Sequence, residues 1–205
     1  MLRTKRRQKW IKRLAPKAML LLLGVLFLPA CGGEDPMPLP MGYFRIDLPE
    51  PDYHWKEPLQ CPFAFKASRE ARLEYFARGK ESDECWFDLY YPALKARVHF
   101  TYKELNGQLR EYSEESRAMA YEHSIKAGKI QNIRVERPED RVYGMVYRLE
   151  GNVASQQQFF LTDSSNHFLR GSLYFEARPN QDSIAPVLGY VRRDLDAFVS
   201  SFVWR

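Results

Sequence analysis

The chain has 205 residues, with 31 Lys and Arg against 26 Asp and Glu, for a formal charge of +5. That excess is local: eight basic residues and no acid lie within residues 1–17, and the other 23 basic residues against 26 acidic ones leave −3. The electrostatic footprint of a nucleic-acid partner is a basic one, so the balance gives no argument for that class and none is expected, while the 175 residues from Cys31 onward suit one domain with a sizeable core.

The basic head runs into Met19–Leu28 (MLLLLGVLFL), an uncharged apolar run of ten residues. A basic head, such a run and a small residue at its end describe a secretory signal peptide. At 1.5 Å per residue the run reaches about 15 Å, half of a ~30 Å hydrocarbon core and too short for a permanent span. Leu28-Pro29-Ala30-Cys31 then resembles the lipobox of bacterial lipoproteins, with Pro29 a less common occupant of its variable position. The resemblance implies cleavage before Cys31 and lipidation of its sulfur; an ordinary signal peptide with an incidental cysteine is the alternative. Two or more acyl chains hold a bilayer stably where one does not. Residues 1–30 are thus expected to be removed, residues 31–41 to form an acylated tether, and residues 42–205 to fold as a single domain. Gly32–Pro40 (GGEDPMPLP) has too little apolar content to bury a core, as a tether requires.

With Cys31 assigned to lipid, Cys61 and Cys85 remain as an even pair in an oxidising compartment. A disulfide between them is expected, two buried free thiols being the alternative. Their spacing resembles no zinc site.

Folded sequence is expected to begin near Gly42-Tyr43, where YFRIDLP (43–49) alternates as an entering strand. CPFAFKA (61–67), CWFDLYY (85–91) and ARVHFTYKEL (96–105) read as aromatic strands. In the last, Val98, Phe100 and Tyr102 share one face, with His99 and Thr101 on the other. Glu70–Ala77 is ambiguous between strand and helix. A helix is predicted over Gln108–Ala127, with Leu109, Tyr112, Ser116, Met119, Ala120, His123 and Ala127 on its inner stripe and Gly128 as its stop. Four strands follow at 129–137, 141–151, 155–163 and 167–177, joined by turn-forming residues as hairpins. A second helix spans Ser183–Val203, with Ser183 as N-cap and Pro186 in the first turn, where a missing N–H costs least. The pattern is α+β, a mostly antiparallel sheet flanked by two helices. In topology alone it resembles the PsbP and Mog1 type of fold.

Chemistry-bearing motifs are sparse. His54, His99, His123 and His167 show no metal-binding spacing, and CxxC, HExxH, P-loop and GxSxG patterns are absent from the sequence. The densest polar cluster is FLTDSSNHFLRG (160–171), where Asp163, Ser164 and His167 supply the residue types of orienter, nucleophile and base. They crowd into one hairpin turn, and Asp, Ser and Asn are what a tight turn needs. Asp163, Ser164, Asn166 and His167 therefore read as a candidate partner-contact turn, with a hydrolase as a lesser alternative.

Several motifs together carry a family resemblance: GYFRIDLP (42–49), Cys61-Pro62-Phe63, KARVHFTYK (95–103), AYEHSIKAGKI (120–130) and the run 142–187 beginning VYGMVYRLEG. In these the chain resembles the gliding motility-associated lipoprotein GldD family. The resemblance implies a non-enzymatic envelope lipoprotein of the gliding machinery and the associated type IX secretion system. It implies no catalytic residue, cofactor or metal, and only Cys31 inherits a role, lipidation. Its implied partners are the lipid bilayer and other gliding or secretion envelope proteins. The expected location is the periplasmic side of the outer membrane, with the inner membrane or cell surface as alternatives. A periplasmic lipid- or glycan-binding module using the aromatic sheet is the alternative function.

Overall fold

Alternating bulky and polar residues turn much of this chain into strands, most of which pair with a neighbour in sequence. The computed structural model describes residues 47–75, 85–122, 127–176 and 181–205, with backbone alone for residues 127 and 181–183. Its strands are β1 (Tyr53–Lys56), β2 (Phe63–Ser68), β3 (Arg72–Tyr75), β4 (Phe87–Tyr91), β5 (Ala96–Glu104), β6 (Ala127–Arg137), β7 (Val142–Gly151), β8 (Ser155–Thr162), β9 (His167–Phe175) and β10 (Val203–Trp204). Helix α1 spans Leu109–Glu122 and α2 spans Gln181–Ser201. Seven strands form an antiparallel sheet in the order β3-β4-β5-β9-β8-β7-β6, and β1-β2-β10 form a small second sheet. The architecture is α+β, as the pattern predicts.

The strand period decides which layer each residue joins. In β5, Val98 and Phe100 are buried while His99 between them is exposed. Val98 and Phe100 face the main core, where α2 and β2 meet the large sheet. Helix α2 supplies Val187, Leu188, Val191, Leu195 and Phe198 at helical spacing, all buried, followed by Phe202 just beyond its end. Phe198 lies 4.3 Å from Phe65 between ring centroids, and Phe87 stacks on Phe100 at 4.7 Å. A smaller cluster on the opposite face joins Ala120 of α1 to Tyr147, Leu149 and Val153. The large sheet thus lies between α1 and the layer made by α2 and the small sheet.

Several boundaries differ from expectation, and one ambiguity is resolved. Residues 43–46 of the predicted entering strand lie outside the described residues, and Asp47–Pro49 is irregular; the first described strand is β1, beyond Pro49 and Pro51, which lack the N–H a ladder needs. The ambiguous Glu70–Ala77 contains β3. The first helix is described only to Glu122, so His123 falls outside the described residues; Ala127 and Gly128 already belong to β6. Gly128 sits at a shift in register between Ala127 and Lys129, marking a bulge rather than a helix stop.

The second helix begins at Gln181, so Ser183 lies inside it and Pro186 falls in the second turn. It ends at Ser201, because the chain finds partners on both sides there. Val203 and Trp204 pair with Ala64 and Phe63 of β2. The Arg137 guanidinium donates to the carbonyls of Val199 and Phe202, each at 2.7 Å, satisfying acceptors that a helix end leaves open.

Candidate functional site

The predicted contact turn is built by Asp163. Its carboxylate, 5% exposed, accepts the N–H groups of Ser165 at 3.0 Å, Asn166 at 2.8 Å and His167 at 2.8 Å. An aspartate that folds back on the following amides closes its own turn. Burial pushes the Asp163 carboxyl up, but these amides outweigh it and hold the group below the usual carboxylate range. Ser164 takes a left-handed backbone, φ +71°, and its N–H donates to Thr162 Oγ1 at 3.0 Å. The Asn166 carbonyl accepts the N–H of Leu105 at 2.7 Å, tying the turn to the end of β5.

His167 faces a different neighbourhood. Its Nδ1 lies 2.7 Å from the Tyr102 hydroxyl, and its ring stacks on Trp204 at 5.2 Å. Among the described residues, no hydrogen bond joins Ser164 to His167 or the Asp163 carboxylate to the His167 ring. The four residues therefore share a turn without sharing a site: Asp163 is occupied with backbone, Ser164 and Asn166 are exposed, and His167 belongs to a neighbouring hollow.

That hollow, about 760 Å³, is lined by His167, Tyr102, Lys103, Trp86, Gln60 and the cysteine pair. Cys61 and Cys85 form a disulfide, with Cα atoms 4.9 Å apart. The bond joins the start of β2, in the small sheet, to the start of β4, in the large one. At Leu59, 68% exposed, and Tyr75, 45% exposed, apolar surface meets water nearby, the Tyr75 hydroxyl accepting the Leu59 N–H at 3.1 Å. Sequence reasoning missed Tyr102 and Trp204 as companions of His167. Strand register carries the first signal, since His167 pairs with Glu104 and Tyr102 with Leu169. The β-branched and aromatic pair Val203-Trp204 carries the second. Aromatic walls with hydroxyl and amide groups can hold a partner by shape and hydrogen bonds; a nucleophile activated by a base is not assembled among the described residues. Nor do three His, Cys, Asp or Glu side chains gather there as a metal site.

A titratable group is also buried under α2. Asp194 is 1% exposed, accepts from the Tyr53 hydroxyl at 3.0 Å through Oδ1, and leaves Oδ2 without a partner among the described residues. Burial pushes its carboxyl up to about 6, the nearby Tyr53, Tyr91 and Ser68 hydroxyls and the Arg193 charge opposing only part of the cost. The folded state thus keeps a proton that the unfolded chain releases near pH 4. Stability is fully present below that pH and is lost as pH rises through about 6. Asp194→Asn, which mimics the protonated acid, is expected to abolish this decline, on the order of 2 kcal/mol. Urea unfolding of both proteins at pH 4 and pH 7 measures it, and equal slopes would refute it.

Cys31 lies outside the described residues, and no helix among those residues is long and apolar enough to cross a membrane. Residues 33–204 match the model of the family described as gliding motility lipoprotein GldD. No curated protein matches the chain. Among solved structures, the solution structure of cyanobacterial PsbP (CyanoP) from Synechocystis sp. PCC 6803 aligns with a TM-score of 0.44 and 14% identity, covering 82% of this chain and 99% of that one.

Proposed function

This chain belongs to the gliding motility lipoprotein GldD family, and we propose on that premise that it is a lipid-anchored, non-enzymatic component of the gliding machinery and of the associated type IX secretion system. The observation that carries the reading is the family match over residues 33–204, nearly the whole chain beyond the apolar run. The lipobox-like Leu28–Cys31 supports acylation at Cys31 and a bilayer as the first partner, with GGEDPMPLP as the tether. The domain works on the periplasmic side of the outer membrane, against other gliding and secretion envelope proteins. The engagement of Asp163 with its own turn supports a role without catalysis.

The test is genetic and specific. Disruption of the gene is expected to abolish surface spreading and type IX cargo release together, and Ser164→Ala is expected to restore both at wild-type level. A folded Ser164→Ala protein that restores neither would replace this reading with a hydrolase. Spreading and secretion that both survive the disruption would remove the gliding assignment altogether.

A further inference from the structure

The large sheet carries a second hollow on its polar face, distinct from the turn and independent of the gliding reading. Strand register creates it. β5 and β9 place Thr101 opposite Arg170 and His99 opposite Ser172, while Tyr174 lies two residues beyond Ser172. Successive residues of a strand alternate between faces, so all five share the face away from α2. They line an open hollow of about 360 Å³. Thr101 and Arg170 also line a smaller one of about 150 Å³, walled by Tyr112 and Met119 of α1.

Arg170 is the informative residue. Arg148 and Arg192 also bury an Nε without a partner among the described residues, but the other partly buried arginines that the core touches each have a carboxylate or two carbonyls. Arg137 has Asp140 and two carbonyls, Arg148 has Asp196, and Arg192 has the carbonyls of Leu149 and Gln156. Arg170 has one neutral acceptor, Gln158 Oε1 at 3.0 Å; its Nε is buried without a partner, and no carboxylate pairs with it among the described residues. A guanidinium stays charged in proteins, so this one retains the cost of partial burial without the compensation an ion pair brings. Burial accordingly disfavours its charged form.

The nearby acids are already engaged. Asp88 lies 3.2 Å from Arg97 and 2.8 Å from His99 Nδ1, Glu74 and Glu176 approach the same Arg97 at 2.5 and 3.5 Å, and Glu115 faces Lys103 at 3.8 Å. What remains around the hollow is a guanidinium with spare donors and the hydroxyls of Thr101, Ser172 and Tyr174. His99 forms a wall, with its ring 5.4 Å from that of Tyr174. A guanidinium fork matches the oxygen geometry of carboxylates and phosphates, and hydroxyls donate to the same atoms.

We propose that Arg170, with Thr101, Ser172 and Tyr174, binds an oxyanion, the carboxylate or phosphate group of a small ligand. The ligand offers a counter-charge in direct contact, where within the fold Glu115 acts on Arg170 only at longer range, and the hollow opens to solvent where such a group can enter. Its supporting shell is rigid: Gln158 holds one Nη of Arg170, and the Asp88–Arg97 pair holds His99.

The experiment follows the backbone amide of Ser172 in every protein, and the side-chain Nε–H of Arg170 wherever that residue is present, by NMR in the full-length protein purified in dodecyl maltoside. Inorganic phosphate, acetate and dihexanoyl phosphatidic acid are titrated at constant ionic strength, against sodium chloride alone. A saturable shift of Arg170 with at least one of the three supports the proposal. Preference among them distinguishes a free phosphate, a carboxylate and a lipid headgroup. Arg170→Gln is expected to weaken binding by at least about tenfold, the scale of one charged hydrogen bond. If that variant loses its dispersed spectrum, Thr101→Val serves instead, with an expected loss of about threefold or more. Shifts no different from those in chloride, or saturation unchanged in whichever variant folds, would overturn the proposal.

Discussion

Phe198→Ala is expected to cost about 4 kcal/mol of stability, the range for emptying a buried aromatic site. The reason is its position. Phe198 is fully buried, and its ring lies 4.3 Å from Phe65, 5.3 Å from Phe100, 5.5 Å from Phe159 and 5.6 Å from Phe202. Those four rings come from β2, β5, β8 and the residue after α2, so one side chain ties the helix to both sheets. Truncation removes contacts on every side at once and leaves a cavity whose walls belong to different layers, which limits collapse. Phe198→Leu retains most of the volume and is expected to lose less than about 1.5 kcal/mol. Urea unfolding measures both. Equal, small losses in the two variants would contradict the packing described.

Removal of the Cys61–Cys85 bond is the second large effect. The cysteines are 24 residues apart, and in the chain-entropy model a loop of that size contributes about 3.5 kcal/mol. Cys61→Ala/Cys85→Ala is expected to lose about that amount, and wild-type protein in reductant to approach it. The loss has a spatial meaning, because the bond connects the two sheets beside the hollow that contains His167. Tyr102 and His167 signals are therefore expected to broaden in the double variant even below its unfolding midpoint. Free thiols titrating in non-reduced wild-type protein, with no effect of reductant on the midpoint, would contradict it.

The legible parts of the fold were those with a strong period. Val98, Phe100 and Tyr102 alternate with His99 and Thr101, so β5 and its two faces could be read directly. The helical spacing of Val187, Leu188, Val191, Leu195 and Phe198 likewise marks α2. Its end could not be read, because Phe202-Val203-Trp204 suits either a helix or a strand. The choice was made by long-range partners, β2 for the strand and Arg137 for the helix carbonyls. Gly128 misled for a similar reason: glycine marks both helix stops and bulges, and pairing with β7 decided between them.

The polar groups show the same division. Asp163, Ser164 and Asn166 form a local turn, legible from turn chemistry alone. The company of His167 depends on three strands distant in sequence, and the isolation of Arg170 depends on where every neighbouring carboxylate is spent. Charge counts do not contain that information. Asp194 is similar, since a helix stripe predicts burial but not which hydroxyl meets the buried acid.

Lipid anchorage within the gliding machinery is tested most directly by complementing a gene deletion with Cys31→Ser and comparing membrane fractionation and surface spreading with wild type. Wild-type protein is expected to sediment with membranes and restore spreading, and the Cys31→Ser protein to accumulate without membrane attachment and restore none. A Cys31→Ser protein that remains membrane-bound and restores spreading would contradict the account.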